Sequence, residues 1–270
     1  MKEEKKAIVK TPENTVSTAV DYGADVGAGF ENQTNSDISI PFLSVLQSNS
    51  PQITEREDAR PGMLLNTVTE ELFSGKIGRL FVPALTKHVY VEWKPRSAGG
   101  GMVAIHPVES EVAKKAVTGG TFGKYKVGDN DLVETFYMYG MLLNEDSTPD
   151  IMAVISFSST KIGVYKRANT KIRMFQLPQP DGRKVTPPLF AHRLRITSVS
   201  EKNAKGDYFN FDIQPAVNGS IKESLLPPGH PALEAARDCK IAVESNTAKA
   251  AYETAEKPAA GNAGDPDWNA

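Results

Sequence analysis

The sequence has almost no cysteine and no long apolar run. Its one cysteine, Cys239, cannot form a disulfide within the chain, which fits a reducing compartment. A reactive thiol needs an electropositive and accessible site, so we interpret Cys239 as a small buried residue. No stretch of about 18 apolar residues is available to cross a bilayer, and the charged N-terminus lacks the apolar segment of a secretory signal. These absences predict a soluble, cytoplasmic protein.

The sequence motifs of common enzymes are also missing. The four histidines lie in no HExxH, HxE or CxxC context, which removes the usual signature of a zinc site. No GxSxG, Walker A or kinase motif occurs. The glycines of residues 23–30 follow no predicted strand, so we exclude a dinucleotide-binding loop. We therefore predict a protein with no catalytic activity, no metal and no cofactor.

Carboxylates grouped in predicted turns leave one enzymatic alternative open. Most of them lie beside glycine or asparagine, so solvated turn residues are the simpler interpretation. A Mg²⁺-dependent nuclease stays an alternative because such sites leave little trace in a sequence. The groups are Glu55/Glu57/Asp58, Glu70/Glu71, Asp129/Asp131 and Asp207/Asp212.

Composition divides the chain into three parts. Residues 1–36 are rich in small polar and charged residues without a sustained period, which predicts a flexible N-terminal arm. Residues 37–245 carry the apolar patterns of one domain. Residues 246–270 predict a disordered acidic tail in which Trp268 lies among carboxylates. This tail is a candidate docking segment for partner proteins, with an inert tail as the alternative.

Strand patterns dominate the central domain. Apolar alternation and turn residues predict strands, with Pro83 indicating a bulge or an edge. A short helix is predicted from the apolar spacing between Ile40 and Leu46. The order of elements favours an α+β, β-rich class: an antiparallel OB-like barrel with an inserted helix and a C-terminal helix. The predicted strands are 63–68, 79–93, 132–143, 151–157, 189–199 and 208–213, and the two longer helices are 158–175 and 230–245.

Positive charge is concentrated in one part of the chain. Between Ser158 and Arg195 there are nine basic residues and one acid, Asp181, although the formal net charge is −2. A surface of this kind attracts a phosphate backbone and releases its counterions. A solvated helix face is the alternative, but such faces usually interleave both signs. The candidate binding residues in this group are Lys161, Lys166, Arg167, Lys171, Arg173, Arg193 and Arg195.

A second basic group is interleaved with aromatic residues near the end of the predicted strand 79–93. Rings stack on unpaired bases while cations follow the phosphates, which is what single-strand binding requires. Tyr165 on the predicted helix is a third candidate ring, and burial of these rings in the core is the alternative. We expect both groups to converge on a single groove. The further candidates are Lys87, Tyr90, Trp93, Lys94 and Arg96.

Five segments carry a resemblance to a known family. They are DISIPFLSVLQSNSPQ (Asp37–Gln52), PGMLLNTVT (Pro61–Thr69), FVPALTKHVYVEWKPR (Phe81–Arg96), PPLFAHRLRITSV (Pro187–Val199) and YFNFDI (Tyr208–Ile213). With these segments in this order, the chain resembles a family of bacteriophage single-stranded DNA-binding proteins. The resemblance implies an OB-type barrel that coats single strands during phage replication or recombination in the host cytoplasm. It implies no particular functional residue.

Charge, rings and resemblance together predict sequence-tolerant binding of single-stranded DNA. The partners expected are single-stranded DNA and, through the tail, replication or recombination proteins. Self-association, strand polarity, site size and the choice between DNA and RNA stay open at this point. The alternatives are the metal-dependent nuclease and a phage structural or protein-interaction module.

Overall fold

The structure is a computed structural model that describes residues 28–34, 37–121, 124–203 and 206–255. The chain groups into two units, residues 1–33 and 34–270. In the first unit the described residues form turns, in which the backbone N–H of Gln33 donates to the carbonyl of Phe30 at 3.0 Å. Residues 1–27 and 35–36 of the predicted arm, residues 1–36, lie outside the described residues. All elements below belong to the second unit.

Fourteen strands and four α-helices are present in the described part of this unit. The strands are β1 (Ser39–Ile40), β2 (Leu43–Val45), β3 (Leu64–Asn66), β4 (Leu72–Phe73), β5 (Arg79–Trp93), β6 (Met102–Pro107), β7 (Tyr125–Val127), β8 (Asn130–Leu143), β9 (Pro149–Ser158), β10 (Leu177–Pro178), β11 (Lys184–Val185), β12 (Leu194–Asn203), β13 (Gly206–Pro215) and β14 (Lys249–Ala250). The helices are α1 (Pro51–Glu55), α2 (Glu111–Gly119), α3 (Ile162–Met174) and α4 (Pro231–Glu244).

A seven-stranded antiparallel sheet forms the centre of the unit. Its strands follow the order β13-β12-β5-β8-β7, with β6 also paired to β5 and β9 also paired to β8. The register between β5 and β8 shifts between Pro83 and Leu85. Proline has no N–H to donate to a ladder, so the bulge predicted at this residue is confirmed.

Each face of the central sheet is covered by a different helix. Side chains alternate along β5, so Leu85, Val89 and Trp93 pack on the side of α4, in one apolar cluster with Leu233. The other face packs beneath α3, whose Tyr165 lies in a second cluster with rings from β8, β9 and β13. Cys239 of α4 is buried as predicted, and burial raises the pKa of its thiol to about 12.

The class predicted from the sequence is confirmed in its main features. The fold is α+β with strands dominating, α3 is the inserted helix, and α4 is the C-terminal helix. The described strands do not close into a barrel, because no pairing joins β13 to β9. The edge of β13 is occupied instead by Gln47, whose Nε2 donates to the carbonyl of Phe209 at 2.8 Å while its Oε1 accepts from the Phe209 N–H at 2.9 Å.

The helix predicted between Ile40 and Leu46 is wrong, because this segment forms β1 and β2. Apolar residues in this stretch fit either period, and non-local pairing decides between them. The carbonyl of Pro41 accepts the N–H of Val154 from β9 at 2.9 Å, and Leu43 lies opposite Asn66 of β3. An extended backbone makes these bonds, whereas a helix would use the same groups internally.

Helix α2 was not predicted, although its start has a local signal. The hydroxyl oxygen of Ser110 accepts the N–H of Ala113 at 3.2 Å, as an N-cap does, and Glu111 follows in the first turn. The helix covers the end of the sheet formed by β5, β7 and β8, where Ala113 packs with Tyr90, Tyr125 and Leu132. Because α2 packs against it, Tyr90, one of the candidate stacking rings, is buried.

The first part of the predicted tail is folded. Lys249 and Ala250 form β14 beside β1, and Tyr252 packs on the core, where its hydroxyl lies 2.8 Å from the hydroxyl of Tyr139. Residues 246–255 therefore continue the folded unit, and 256–270 lie outside the described residues. In the described part of the chain no helix has the length and apolar composition needed to cross a membrane.

Candidate nucleic-acid interface

Helix α3 presents a row of cations on its outer face. Val164, Tyr165, Ala168 and Ile172 are buried, and this spacing leaves the other side of the helix to the solvent. The exposed positions include four basic side chains, and the helix sequence IGVYKRANTKIRM contains no acid. The exposed cations are Lys166, Arg167, Lys171 and Arg173.

These cations have few partners within the protein. Among the described residues, no ion pair involves Lys166, Arg167 or Arg173. Lys171 donates a hydrogen bond to Oε1 of Gln214 on β13 at 3.3 Å, which leaves its charge uncompensated. The outer face of α3 is therefore available to an external anion, because carboxylates of the described residues do not neutralise its cations.

A row of aromatic rings runs across the sheet beneath α3. Phe136 of β8 stacks on Tyr165 of the helix with ring centroids 4.6 Å apart. The centroid of Tyr165 in turn lies 5.5 Å from that of Phe157. Phe157 contacts Phe211 of β13 at 5.8 Å. Two predicted cations lie over this row: Lys161 Nζ is 5.2 Å from the Phe211 centroid, and Lys166 Nζ is 5.8 Å from that of Phe136. Cation–π attraction holds both side chains close to the rings.

His88 is the solvent-exposed ring beside this row, and the sequence did not single it out. It lies opposite Phe136 in the pairing of β5 with β8, and the two rings stack 4.1 Å apart at an angle of 13°. Its Nε2 lies 2.9 Å from a carboxylate oxygen of Glu134. Its side chain is 37% exposed, whereas Phe136 is buried. Only the strand register reveals this stack.

The three rings predicted to stack on bases are all buried, so this prediction is wrong. Tyr90 lies under α2, Trp93 lies in the cluster under α4, and Tyr165 is enclosed between Phe136 and Phe157. Their exposed fractions are between 4% and 7%. The reason is tertiary: helices cover both faces of the sheet, so rings on either face have become core.

The phenol of Tyr90 offers a direct test of this correction. Burial, followed by the negative charge of Glu134, raises the pKa of Tyr90 to about 12, because phenolate is disfavoured where water is excluded. We therefore expect the difference between the ultraviolet titration curves of wild type and Tyr90→Phe to show one phenol that titrates near pH 12. A solvent-exposed stacking ring would titrate near the ordinary value of 10.

Lys87 does not join the basic face of α3. Neighbouring residues of a strand point to opposite faces, so Lys87 lies on the α4 side while His88 lies on the α3 side. Its Nζ lies 5.4 Å from the Tyr139 centroid, and burial lowers its pKa. Lys94 is exposed just beyond β5, and the side chain of Arg96 is outside the described ones. Lys87 is therefore not part of a groove shared with α3.

Arg193 and Arg195 are engaged by the turn between β8 and β9. The guanidinium of Arg195 donates to both carboxylate oxygens of Glu145, at 2.9 and 3.2 Å, and this pairing lowers the pKa of Glu145. Arg193 donates to the hydroxyl of Ser147 at 2.5 Å. Arg195 lies opposite Gln214, the partner of Lys171, so it is near the end of α3 but is neutralised there.

The carboxylates of the nuclease alternative are dispersed. Asp58 pairs with Arg56 at 2.8 Å, and Asp131 pairs with Lys126 at 3.1 Å. In the part of the chain that the structure describes, no group of three or more histidine, cysteine, aspartate or glutamate side chains is arranged to hold a metal ion.

Comparison with known proteins places the chain in a phage family. The model of the Pam3 phage gp34-like protein family matches residues 5–249. The chain belongs to the Pam3 phage gp34-like family. No curated protein and no solved structure matches it. The phage origin expected from the resemblance is confirmed for this gp34-like protein. The family match gives no information about binding of single-stranded DNA. The matched range contains β5, α3 and β12, and with them every candidate binding residue.

Proposed function

We propose that this gp34-like protein binds single-stranded DNA without sequence preference, through the exposed face of α3. The observation that supports the proposal is the row of Lys166, Arg167, Lys171 and Arg173 on a helix that carries no acid. The chain has a net charge of −2, so acids are plentiful, and yet within the described residues none of them forms an ion pair with this row. Phosphates are the partner that such a row attracts.

The dimensions of α3 suit an extended strand. Its 13 residues make a helix about 20 Å long, along which a backbone can pass several phosphates. Contacts of this kind read no sequence, so binding is sequence-tolerant. The proposed mode differs from the one expected from the sequence, because the helix face replaces a sheet face lined with rings. No catalytic step is part of the proposal.

We also propose that the architecture of the sheet is OB-like. Strands β5 and β8 are long and change register at bulges, as strands do at the corners of small barrels. Coating of single strands during phage replication or recombination is the role this binding would serve. Docking of replication or recombination proteins on residues 256–270 and self-association on DNA are further proposals of the same kind.

Charge reversal on α3 tests the proposed function. We expect Lys166→Glu/Arg167→Glu/Lys171→Glu to weaken binding of a labelled single-stranded oligonucleotide about tenfold or more at low salt. The slope of log K against log salt should flatten by about one for each phosphate that the helix no longer neutralises. Fluorescence anisotropy across a salt series measures both quantities.

A matched control separates the helix from net charge. Lys114→Glu/Lys115→Glu/Lys222→Glu reverses three exposed lysines outside α3 and changes the net charge equally. We expect this variant to keep nearly the wild-type salt slope. Equal losses of affinity in both variants, or an unchanged slope in the α3 variant, would remove α3 from the binding surface. Strand integrity in the same samples with Mg²⁺ distinguishes a binder from a nuclease.

An apolar pocket favours a second candidate, a protein-interaction module. It has a volume of about 290 Å³ and lies between the loop before β12 and α4, where Phe190, Leu226 and Leu233 contribute to its lining. Apolar pockets with few polar groups are typical of binding sites for other molecules. This candidate predicts that no oligonucleotide binds at low salt, so the anisotropy series decides between the two.

A further inference from the structure

The row of rings under α3 is in contact with one ring that is exposed to solvent, His88. Exposure falls along the row from His88, which is exposed, to Phe136 and Tyr165, which are 8% and 6% exposed, and to Phe157, which is fully buried. Each ring is within stacking or tilted contact of the next. The imidazole of His88 is therefore the solvent-exposed member of a continuous set of aromatic contacts, with the buried ring of Phe136 stacked at 4.1 Å and the buried ring of Tyr90 tilted at 6.0 Å.

We propose that His88 is a stacking platform for one unpaired base of the bound strand, with Lys166 placed to hold an adjoining phosphate. The proposal rests on the proposed function and specifies where a base, as distinct from the backbone, is recognised. Imidazole rings serve as stacking partners for unpaired bases alongside phenylalanine, tyrosine and tryptophan. Stacking of this kind tolerates any sequence because every base has a π-face.

Contacts with Phe136, Glu134 and the tilted ring of Tyr90, whose centroid lies 6.0 Å away, hold the imidazole in position. One face lies 4.1 Å from the Phe136 centroid and almost parallel to it, and Nε2 is bonded to Glu134 at 2.9 Å. The exposed 37% of the side chain therefore belongs to the parts that these contacts leave open. A ring that is already ordered loses little rotamer freedom when a base stacks on it.

The charges around His88 orient the strand. Glu134 lies at the Nε2 edge and repels phosphate, whereas Lys166 lies over the neighbouring Phe136, 5.8 Å from its centroid. A nucleotide stacked on His88 would therefore place its phosphate toward α3 and away from Glu134. Phe136 therefore lies in contact with both the platform and Lys166.

A comparison of two strands with equal charge tests the platform. The probes are an oligothymidylate and an oligonucleotide of the same length in which every base is replaced by hydrogen. We expect wild type to bind the base-bearing strand about tenfold more tightly than the abasic strand. His88→Ala should remove most of this preference while affinity for the abasic strand stays unchanged. His88→Phe keeps a flat ring on Phe136 and should keep the preference.

The outcomes separate the platform from the function. Equal affinity of wild type for the two strands overturns the platform and leaves backbone binding by α3 in place. An unchanged preference in His88→Ala also overturns it. Absence of binding to either strand overturns the proposed function itself. Thermal unfolding of each variant confirms that the fold is retained. His88→Gln, which also removes the aromatic ring, carries the test if His88→Ala unfolds.

Discussion

Gly140→Ala is expected to lower the free energy of unfolding by about 3 kcal/mol, because overpacking a rigid core forces the backbone to move. A Cβ at this position of β8 would lie 2.2 Å from the carbonyl oxygen of Val82 and 2.5 Å from Cζ of Phe81. Gly140 pairs with Pro83 beside the bulge of β5, and Phe81 is fully buried. Neither the strand nor the ring can withdraw without separating the two longest strands of the sheet.

The same substitution at Gly163 provides the control for Gly140→Ala. A Cβ there would meet only the guanidinium of Arg167, at 3.4 Å, which is the flexible end of a long side chain. Alanine is favoured over glycine in a helix by roughly 0.5–1 kcal/mol, so Gly163→Ala should be neutral or slightly stabilising. Urea unfolding measures both variants. A Gly140→Ala protein whose stability stays close to that of wild type would show that β5 and β8 separate easily at the bulge.

Glu92→Ala is expected to cost about 3 kcal/mol of unfolding free energy. The carboxylate of Glu92 is buried and accepts two hydrogen bonds, from Nε2 of His106 at 2.7 Å and from Nδ2 of Asn130 at 2.6 Å. Charge-assisted bonds contribute roughly 1.5–3 kcal/mol each, and alanine leaves both donors without their acceptor. Urea unfolding at neutral pH measures the loss.

Glu134→Ala is the matched control, because Glu134 also pairs with a histidine across the sheet but at a partly exposed site. The His88–Glu134 pair has side-chain exposures of 37% and 27%, against 17% and 9% for His106 and Glu92. Solvated pairs contribute at most about 1 kcal/mol, so the control should lose little stability. Equal losses of stability in the two variants would contradict the importance assigned to burial.

Lowering the pH should remove the contribution of Glu92 to the free energy of unfolding. Burial by itself would raise the pKa of this carboxyl, but the bonds from Asn130 and His106 outweigh burial and lower the pKa below the ordinary 4.5. A carboxyl with a lowered folded-state pKa stabilises above its ordinary pKa, and that stabilisation is lost as the pH falls through the folded-state value. The difference in stability between wild type and Glu92→Ala should therefore narrow once the pH falls below the ordinary pKa of 4.5. A difference that widens in acid would contradict this assignment.

Elements with long apolar patterns were predicted well. The strand expected at 79–93 is β5 to the residue, and the helices expected at 158–175 and 230–245 contain α3 and α4. In these segments the apolar period is local and many residues support it. The segment from Ile40 to Leu46 is too short for its period to be decisive, and its extended form is set by pairing with β3 and β9.

In the candidate interface, too, features set by local spacing were predictable and features set by distant segments were not. The helical period alone places Lys166, Arg167 and Lys171 off the buried stripe of α3, and these side chains are exposed. Arg173 lies closer to the stripe in the sequence pattern and is exposed as well. Burial of Tyr90 was not predictable without α2, and exposure of His88 was not predictable without its register against Phe136. Neutralisation of Arg195 required Glu145, which is distant in the sequence.

By itself the sequence determined the strand-rich class, the principal helices and the row of positive charge on one of them. These features depend on the spacing of neighbouring residues, which backbone geometry converts directly into faces. The tertiary structure decided which rings became core, which arginines found a carboxylate and where the aromatic row reaches solvent. Those outcomes depend on segments that are far apart in the chain, and only folding brings them into contact.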